Sequence, residues 1–158
     1  MSEAKDQIET VTITVDGEEM QAPKGAMLIE VTDAHNVKVP RFCYHKKLAI
    51  SANCRMCLVE VEKAPKPLPA CATPVMDGMI VHTQSKFARD AQKSVMEFLL
   101  INHPLDCPIC DQGGECELQD VAVAYGEDVS QYSDTKRVVF DKNIGPLIAT
   151  ELTRCIHC

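Results

Sequence analysis

Nine cysteines in 158 residues constrain this chain more than any other feature, and their spacing sorts them into three groups. Cys43, Cys54, Cys57 and Cys71 form a C-x10-C-x2-C-x13-C series. His103, Cys107, Cys110 and Cys116 form an H-x3-C-x2-C-x5-C block, and Cys155 and Cys158 make a last C-x2-C pair. An odd number of thiols cannot pair off completely. The start, Met-Ser-Glu-Ala-Lys-Asp, has no apolar core of a secretory signal, and Glu3 and Asp6 argue against a mitochondrial transit peptide. The reading is a reducing compartment, the bacterial cytoplasm, where clustered cysteines are metal ligands or catalytic groups and disulfides are rare.

A C-x2-C step brings two thiolates to one centre from a single tight loop whose backbone N–H groups can also point at sulfur. Zinc and iron–sulfur clusters both use it, so the step alone does not choose between them. The first group has one such step flanked by a lone cysteine on each side. That is the arrangement of a plant-type 2Fe–2S loop, although the leading gap is ten residues where four is usual. In the second group, Gly113-Gly114 lets the backbone approach closely and take positive φ. A 4Fe–4S centre with imidazole in place of one thiolate fits there. The competing reading makes His103 a helix C-cap cation. Cys155 and Cys158 need two further ligands that this sequence does not contain: the sequence is a fragment, the preferred reading, or a partner supplies the ligands, or the pair is inert.

Elsewhere the pattern is α+β. Residues 10–22 read as a hairpin turning at Asp16-Gly17, and 26–35 as a short helix. Strands are expected at Cys57–Val61 and Ile80–Thr83, on either side of a Pro-rich stretch (Pro65, Pro67, Pro69). Hairpin, helix, ligand loop and further strands resemble a β-grasp ferredoxin. Ser85 caps a helix to about Asn102, with Phe87, Ala91, Val95 and Phe98 or Leu99 as its apolar face and Pro104 as its stop. Leu118–Tyr125 reads as a helix closed by Gly126, Val138–Phe140 as a weak strand, and Ile144-Gly-Pro146 as a turn. Met27, Met56, Met76, Met79 and Met96 are read as packing residues. His45, His82 and His157 are read as ordinary polar residues.

A net charge of −7 disfavours phosphate clamping, and thus nucleic acid as a partner. No apolar run is long enough to span a bilayer. No G-x-G-x-x-G follows a strand, so no nicotinamide or flavin site is expected. Cluster electron transfer needs no general acid, so Asp106, Asp111 and Glu115 beside the second group are not read as catalytic. Arg55, between two cysteines, either moderates charge at the first group or is simply solvated.

The stretches Asn53-Cys-Arg-Met-Cys57, Met96 to Cys116, Lys142 to Leu147 and Thr153 to Cys158 resemble the large iron–sulfur subunit of respiratory complex I. The resemblance implies an electron relay within NADH:quinone oxidoreductase, carrying single electrons from NADH and flavin towards quinone. It implies a β-grasp 2Fe–2S domain over residues 1–84 with Cys43, Cys54, Cys57 and Cys71 as ligands. A helical and loop domain over 85–126 would bind 4Fe–4S through His103, Cys107, Cys110 and Cys116. Residues 127–158 would begin a molybdopterin-oxidoreductase-type domain, with Cys155 and Cys158 as half of a second 4Fe–4S site. The implied partners are a flavin- and NADH-binding subunit and the quinone-side iron–sulfur subunits. The implied location is peripheral, on the cytoplasmic side of the bacterial inner membrane. A diaphorase subunit of an NAD-coupled hydrogenase or formate dehydrogenase shares this cluster plan and is the alternative.

Overall fold

The structure, a computed structural model, describes residues 9–156. Thr10–Val15 (β1) and Glu18–Pro23 (β2) pair antiparallel from Thr10↔Pro23 to Val15↔Glu18. Val11, Ile13 and Val15 alternate with Thr, so one face of β1 is buried with the period of two that a pleated strand imposes. The turn places Asp16 at φ 50° and Gly17 at φ 91°, the left-handed geometry that a two-residue hairpin turn requires. The Asp16 carboxylate then accepts from the Thr83 N–H at 2.7 Å and the Thr83 hydroxyl at 2.5 Å, tying the turn to the end of the neighbouring strand, Ile80–His82.

Helix α1 (Leu28–Ala34) buries Leu28, Ile29, Val31 and Thr32, and the Glu30 carboxylate accepts from the Met27 N–H at its start, at 3.0 Å. A long irregular stretch leads to β3 (Leu58–Val61), β4 (Leu68–Pro69) and β5 (Ile80–His82). The sheet order is β2-β1-β5-β3-β4, with β1 and β5 parallel and the other pairs antiparallel. Proline is tolerated in β4 because β4 is the edge strand. A mixed sheet with α1 packed against it is the α+β, ferredoxin-like β-grasp that the sequence pattern anticipates. Its core gathers Ile13, Val15, Leu28, Ile29, Val59 and Val81, all essentially inaccessible.

Helix α2 (Lys86–Leu100) begins where expected, with the Ser85 hydroxyl accepting from the Ala88 N–H at 3.2 Å. Its buried face overlaps the expected one at Val95 and Leu99, which pack partly buried in a second apolar cluster, but is centred elsewhere. Ala88, Gln92 and Met96 turn inward, whereas Phe98 is 73% exposed and Phe87 is also exposed. The cause is a polar residue that apolar periodicity passes over: Gln92 is 1% exposed because its Nε2 donates to the Leu58 carbonyl at 2.9 Å. The row 88, 92, 96 follows the four-residue spacing of one helix face, which packs on β3.

Helix α3 (Glu117–Tyr125) lies against α2, where Arg89 stacks 4.4 Å from the Tyr125 ring centroid and donates to the Ala124 carbonyl at 3.0 Å. Gly126 closes α3, but at φ −86° and not in the left-handed cap expected of it. It is needed for space, since a Cβ there would stand 2.6 Å from the Ala122 oxygen and 3.3 Å from Met96 Cγ. A second core of Cys54, Met56, Met96, Leu118 and Val121 joins α2 and α3 to the first ligand loop.

The strand expected at Val138–Phe140 does not form. Val138 and Phe140 are exposed, and the Thr153 hydroxyl takes the place of a neighbouring strand by accepting from the Val139 N–H at 3.0 Å. A turn follows Gly145, whose φ is 117°. Of the methionines, Met56, Met79 and Met96 are buried and Met27 partly so, but Met76 is exposed and packs no core. Among the described residues no helix is long and apolar enough to cross a membrane.

Candidate metal centres

Three segments supply the four cysteines of the first group. Cys43 follows α1 in the irregular stretch, Cys54 and Cys57 flank the tight loop before β3, and Cys71 sits in a 3-10 turn, Ala70–Ala72, after β4. Cys54, Cys57 and Cys71 are buried and Cys43 is partly exposed. Ala52 and Arg55 adopt left-handed φ of 50° and 59°, which curls the loop and turns its N–H groups inward. The Cys54 N–H donates to Cys43 Sγ at 3.4 Å and the Met56 N–H to Cys54 Sγ at 3.5 Å. These bonds stabilise sulfur in its charged form.

The thiols perturb one another. Burial pushes Cys71 up to about 12, and the thiolates of Cys57, Cys43 and Cys54 push in the same direction. Burial also raises Cys54, against hydrogen bonds that lower it. At Cys43 burial acts upward too, but the N–H groups of Cys54 and Asn53 and the Ser51 side chain hold the thiol below its ordinary value. Four sulfurs this close and this buried cannot all ionise unless a cation joins them. Arg55 is not that cation, for its side chain is exposed.

The second group is assembled around the C-terminal end of α2. His103, Cys107, Cys110 and Cys116 line one cavity of about 140 Å³, together with Leu100, Ala122, Asp106 and Arg154. Cys107 opens a 3-10 turn, and Cys116 is the N-cap of α3. A Cβ on Gly113 would stand 2.5 Å from the Cys107 oxygen, and Gly114 takes φ +88°, so both glycines are required as expected. His103 Nδ1 is buried with no hydrogen-bond partner. Burial, reinforced by the Lys136 and Arg154 cations and opposed by Asp106, holds the imidazole below its ordinary pKa and hence neutral, the form that binds metal. The capping role belongs to another residue: Lys136 Nζ donates to the Leu100 and Ile101 carbonyls at 2.8 and 2.9 Å.

Soft sulfur donors, one neutral imidazole with an unsatisfied nitrogen, and a cavity several times the ~30 Å³ share of one water suit a multi-atom cluster. The donors surround a volume and do not close on a point: among the described residues no three His, Cys, Asp or Glu side chains are placed to hold a single metal ion. The third pair is not brought together in the same way. Cys155 lines a separate cavity with Cys54, His103 and Arg137, and Cys158 and His157 lie outside the described residues. Asp106 pairs with Arg154, while Asp111 and Glu115 are exposed. His45 is exposed, its Nδ1 accepting from the Lys47 N–H at 3.2 Å, and His82 lies 3.2 Å from the Glu62 carboxylate. Lys136, Arg154 and Gln92 are the residues that sequence reasoning missed. Local spacing carries no signal for them, since their partners lie 34 to 48 positions away.

Comparison with known proteins defines the class first. Residues 9–86 match the family described as a 2Fe-2S iron-sulfur cluster binding domain, and residues 92–130 match the NADH-ubiquinone oxidoreductase-G iron-sulfur binding region. This is an iron–sulfur protein whose cofactors are a 2Fe–2S and a 4Fe–4S cluster. Over 148 residues it is 55% identical to the NADH-ubiquinone oxidoreductase 75 kDa subunit of Reclinomonas americana, covering 94% of this chain and 21% of that protein. Over 150 residues it is 53% identical to the mitochondrial NADH dehydrogenase (ubiquinone) iron-sulfur protein 1 of Solanum tuberosum, covering 95% and 20%. The corresponding NADH-quinone oxidoreductase subunit of Rickettsia bellii is 51% identical over 148 residues, covering 94% and 22%. Among solved structures, a chain of an NAD+-reducing NiFe-hydrogenase in the H2-reduced state superposes with a TM-score of 0.83 at 26% identity, covering 92% of this chain and 62% of that one. The chain belongs to the family of large (75 kDa) iron–sulfur subunits of NADH-quinone oxidoreductase. It spans about a fifth of the length of these curated relatives.

Proposed function

We propose that this chain relays single electrons within an NADH:quinone oxidoreductase, from NADH by way of flavin towards quinone. In this reading Cys43, Cys54, Cys57 and Cys71 hold the 2Fe–2S cluster, and His103, Cys107, Cys110 and Cys116 hold the 4Fe–4S cluster. Cys155 and Cys158 are half of a second 4Fe–4S site. The domains divide near residues 84 and 126, a division supported by Ser85 capping α2 and by Gly126 closing α3. The observation that carries the reading is the single cavity lined by His103, Cys107, Cys110 and Cys116, with the buried imidazole nitrogen unsatisfied.

The clusters supply the one-electron chemistry, and the protein supplies burial, orientation and charge. Cys54 and Met56 present N–H groups to sulfur at the first site. The Gly113-Gly114 turn folds the second loop closely enough for its three thiols to share a cavity with His103. Met96, Leu99 and Leu100 of α2 pack in the same apolar cluster as Cys43, Cys54 and Cys116, so the helix that leads to the second site also packs on the first. A flavin- and NADH-binding subunit and quinone-side iron–sulfur subunits are the proposed partners, and the cytoplasmic face of the bacterial inner membrane the proposed location. The structural likeness to the hydrogenase chain favours a diaphorase role at 26% identity, against 51–55% for the respiratory relatives, so the respiratory assignment stands first.

The test is iron and acid-labile sulfide on anaerobically purified protein. About six of each per chain is expected for two filled sites. Stoichiometric zinc without labile sulfide overturns the assignment.

A further inference from the structure

We propose that Arg154, held against the second centre by Asp106, sets the reduction potential of the cluster bound there. The inference rests on the ligand assignment above and adds a residue to it. Arg154 belongs to the 3-10 turn Leu152–Arg154, 48 positions from Asp106. Its Nε and Nη2 donate to Asp106 Oδ2 at 3.4 and 3.2 Å, and Asp106 immediately precedes the ligand Cys107. Both side chains line the cavity of His103, Cys107, Cys110 and Cys116. The Arg154 side chain is 23% exposed and that of Asp106 38%, so water screens the pair only in part.

Three thiolates bring three negative charges to this site and a neutral imidazole brings none, so each added electron enters a field that is already negative. A guanidinium in the wall favours the reduced state and raises the potential. Asp106 acts in the opposite sense and fixes where the guanidinium lies. Lys136 adds a second cation, but one committed to the carbonyls that end α2.

The experiment is a redox titration of the iron-loaded protein, followed by the paramagnetic signals of the two clusters separately. Arg154→Met removes the cation and leaves Asp106 unpaired, and should lower the reduction equilibrium constant of the 4Fe–4S cluster about tenfold, 59 mV for a one-electron couple. Arg154→Lys should restore most of that shift, Asp106→Asn should move it the other way, and the 2Fe–2S midpoint should hold in all three. An unchanged 4Fe–4S midpoint in Arg154→Met overturns the inference, as does an equal shift of both clusters. If Arg154→Met does not accumulate, Arg154→Gln, which removes the charge but keeps a hydrogen-bond donor for Asp106, decides, and an unchanged 4Fe–4S midpoint in that variant overturns it. Wild-type protein with no 4Fe–4S signal overturns the ligand assignment as well, so the two failures are distinguishable.

Discussion

Gln92 of α2 reaches across 34 positions to donate its Nε2 to the carbonyl of Leu58, the residue after Cys57, at 2.9 Å. One buried amide therefore ties the helix that ends near the second centre to the strand that leaves the first. Gln92→Leu removes the donor and puts an apolar side chain of similar size in its place. It should cost about 1 kcal/mol, because stranding the part-buried Leu58 carbonyl is offset in part by removing the Gln92 Oε1, which is buried without a partner. Denaturant unfolding of the variant would measure this, and a loss below about 0.5 kcal/mol would show that packing alone holds α2 on β3.

The same contact marks the limit of what was legible in the chain. Asp16-Gly17, Ser85 and the spacing from His103 to Cys116 announce themselves because each is a local requirement: a left-handed turn, an orphan N–H, a loop that must converge on one centre. The ligand-bearing loops could be located for that reason. The inward face of α2 could be read only in part: Val95 and Leu99 pack as expected, but Gln92 counts as polar until its distant partner is known and Phe98 counts as core until it is seen in solvent. Val138–Phe140 failed for the complementary reason. Its residues favour a strand, but Thr153 satisfies the Val139 backbone in place of a neighbouring strand. Arg154 and Lys136 were invisible because their meaning lies in the cavity and α2 terminus they reach.

Cys54 accepts from the Met56 N–H and lies in the second hydrophobic core. Cys54→Ser replaces a soft ligand by a hard, weakly acidic one. The 2Fe–2S paramagnetic signal should disappear while the 4Fe–4S signal persists. Electron paramagnetic resonance on the reduced variant reads both at once, and simultaneous loss would contradict two separate sites.

His103→Cys exchanges a neutral ligand for a thiolate in the cavity shared with Cys107, Cys110 and Cys116. The cluster should still assemble, carrying one more negative charge. Its potential should fall by at least about 59 mV, a factor of ten in the reduction equilibrium. An unchanged midpoint would show that His103 is not a ligand.

Proton linkage at His103 separates the fold from its cofactor. In the cluster-free protein, burial first and then the Lys136 and Arg154 charges hold His103 below its ordinary value of 6.5. The unfolded chain therefore binds more protons than the folded one between the lowered pKa and 6.5, and stability must rise with pH across that window. Below the window the folded state bears the full cost of a charged, buried imidazole; above it that cost is gone. The measurement is a difference between two proteins, so that contributions from every other residue cancel. Unfolding free energies of wild-type and His103→Gln apo-protein, compared from pH 5 to 8, should diverge only on the acid side, with the wild type falling further. Parallel curves would mean that His103 is as accessible to protons in the folded chain as in the unfolded one, and that its unsatisfied nitrogen does not face a dry cavity.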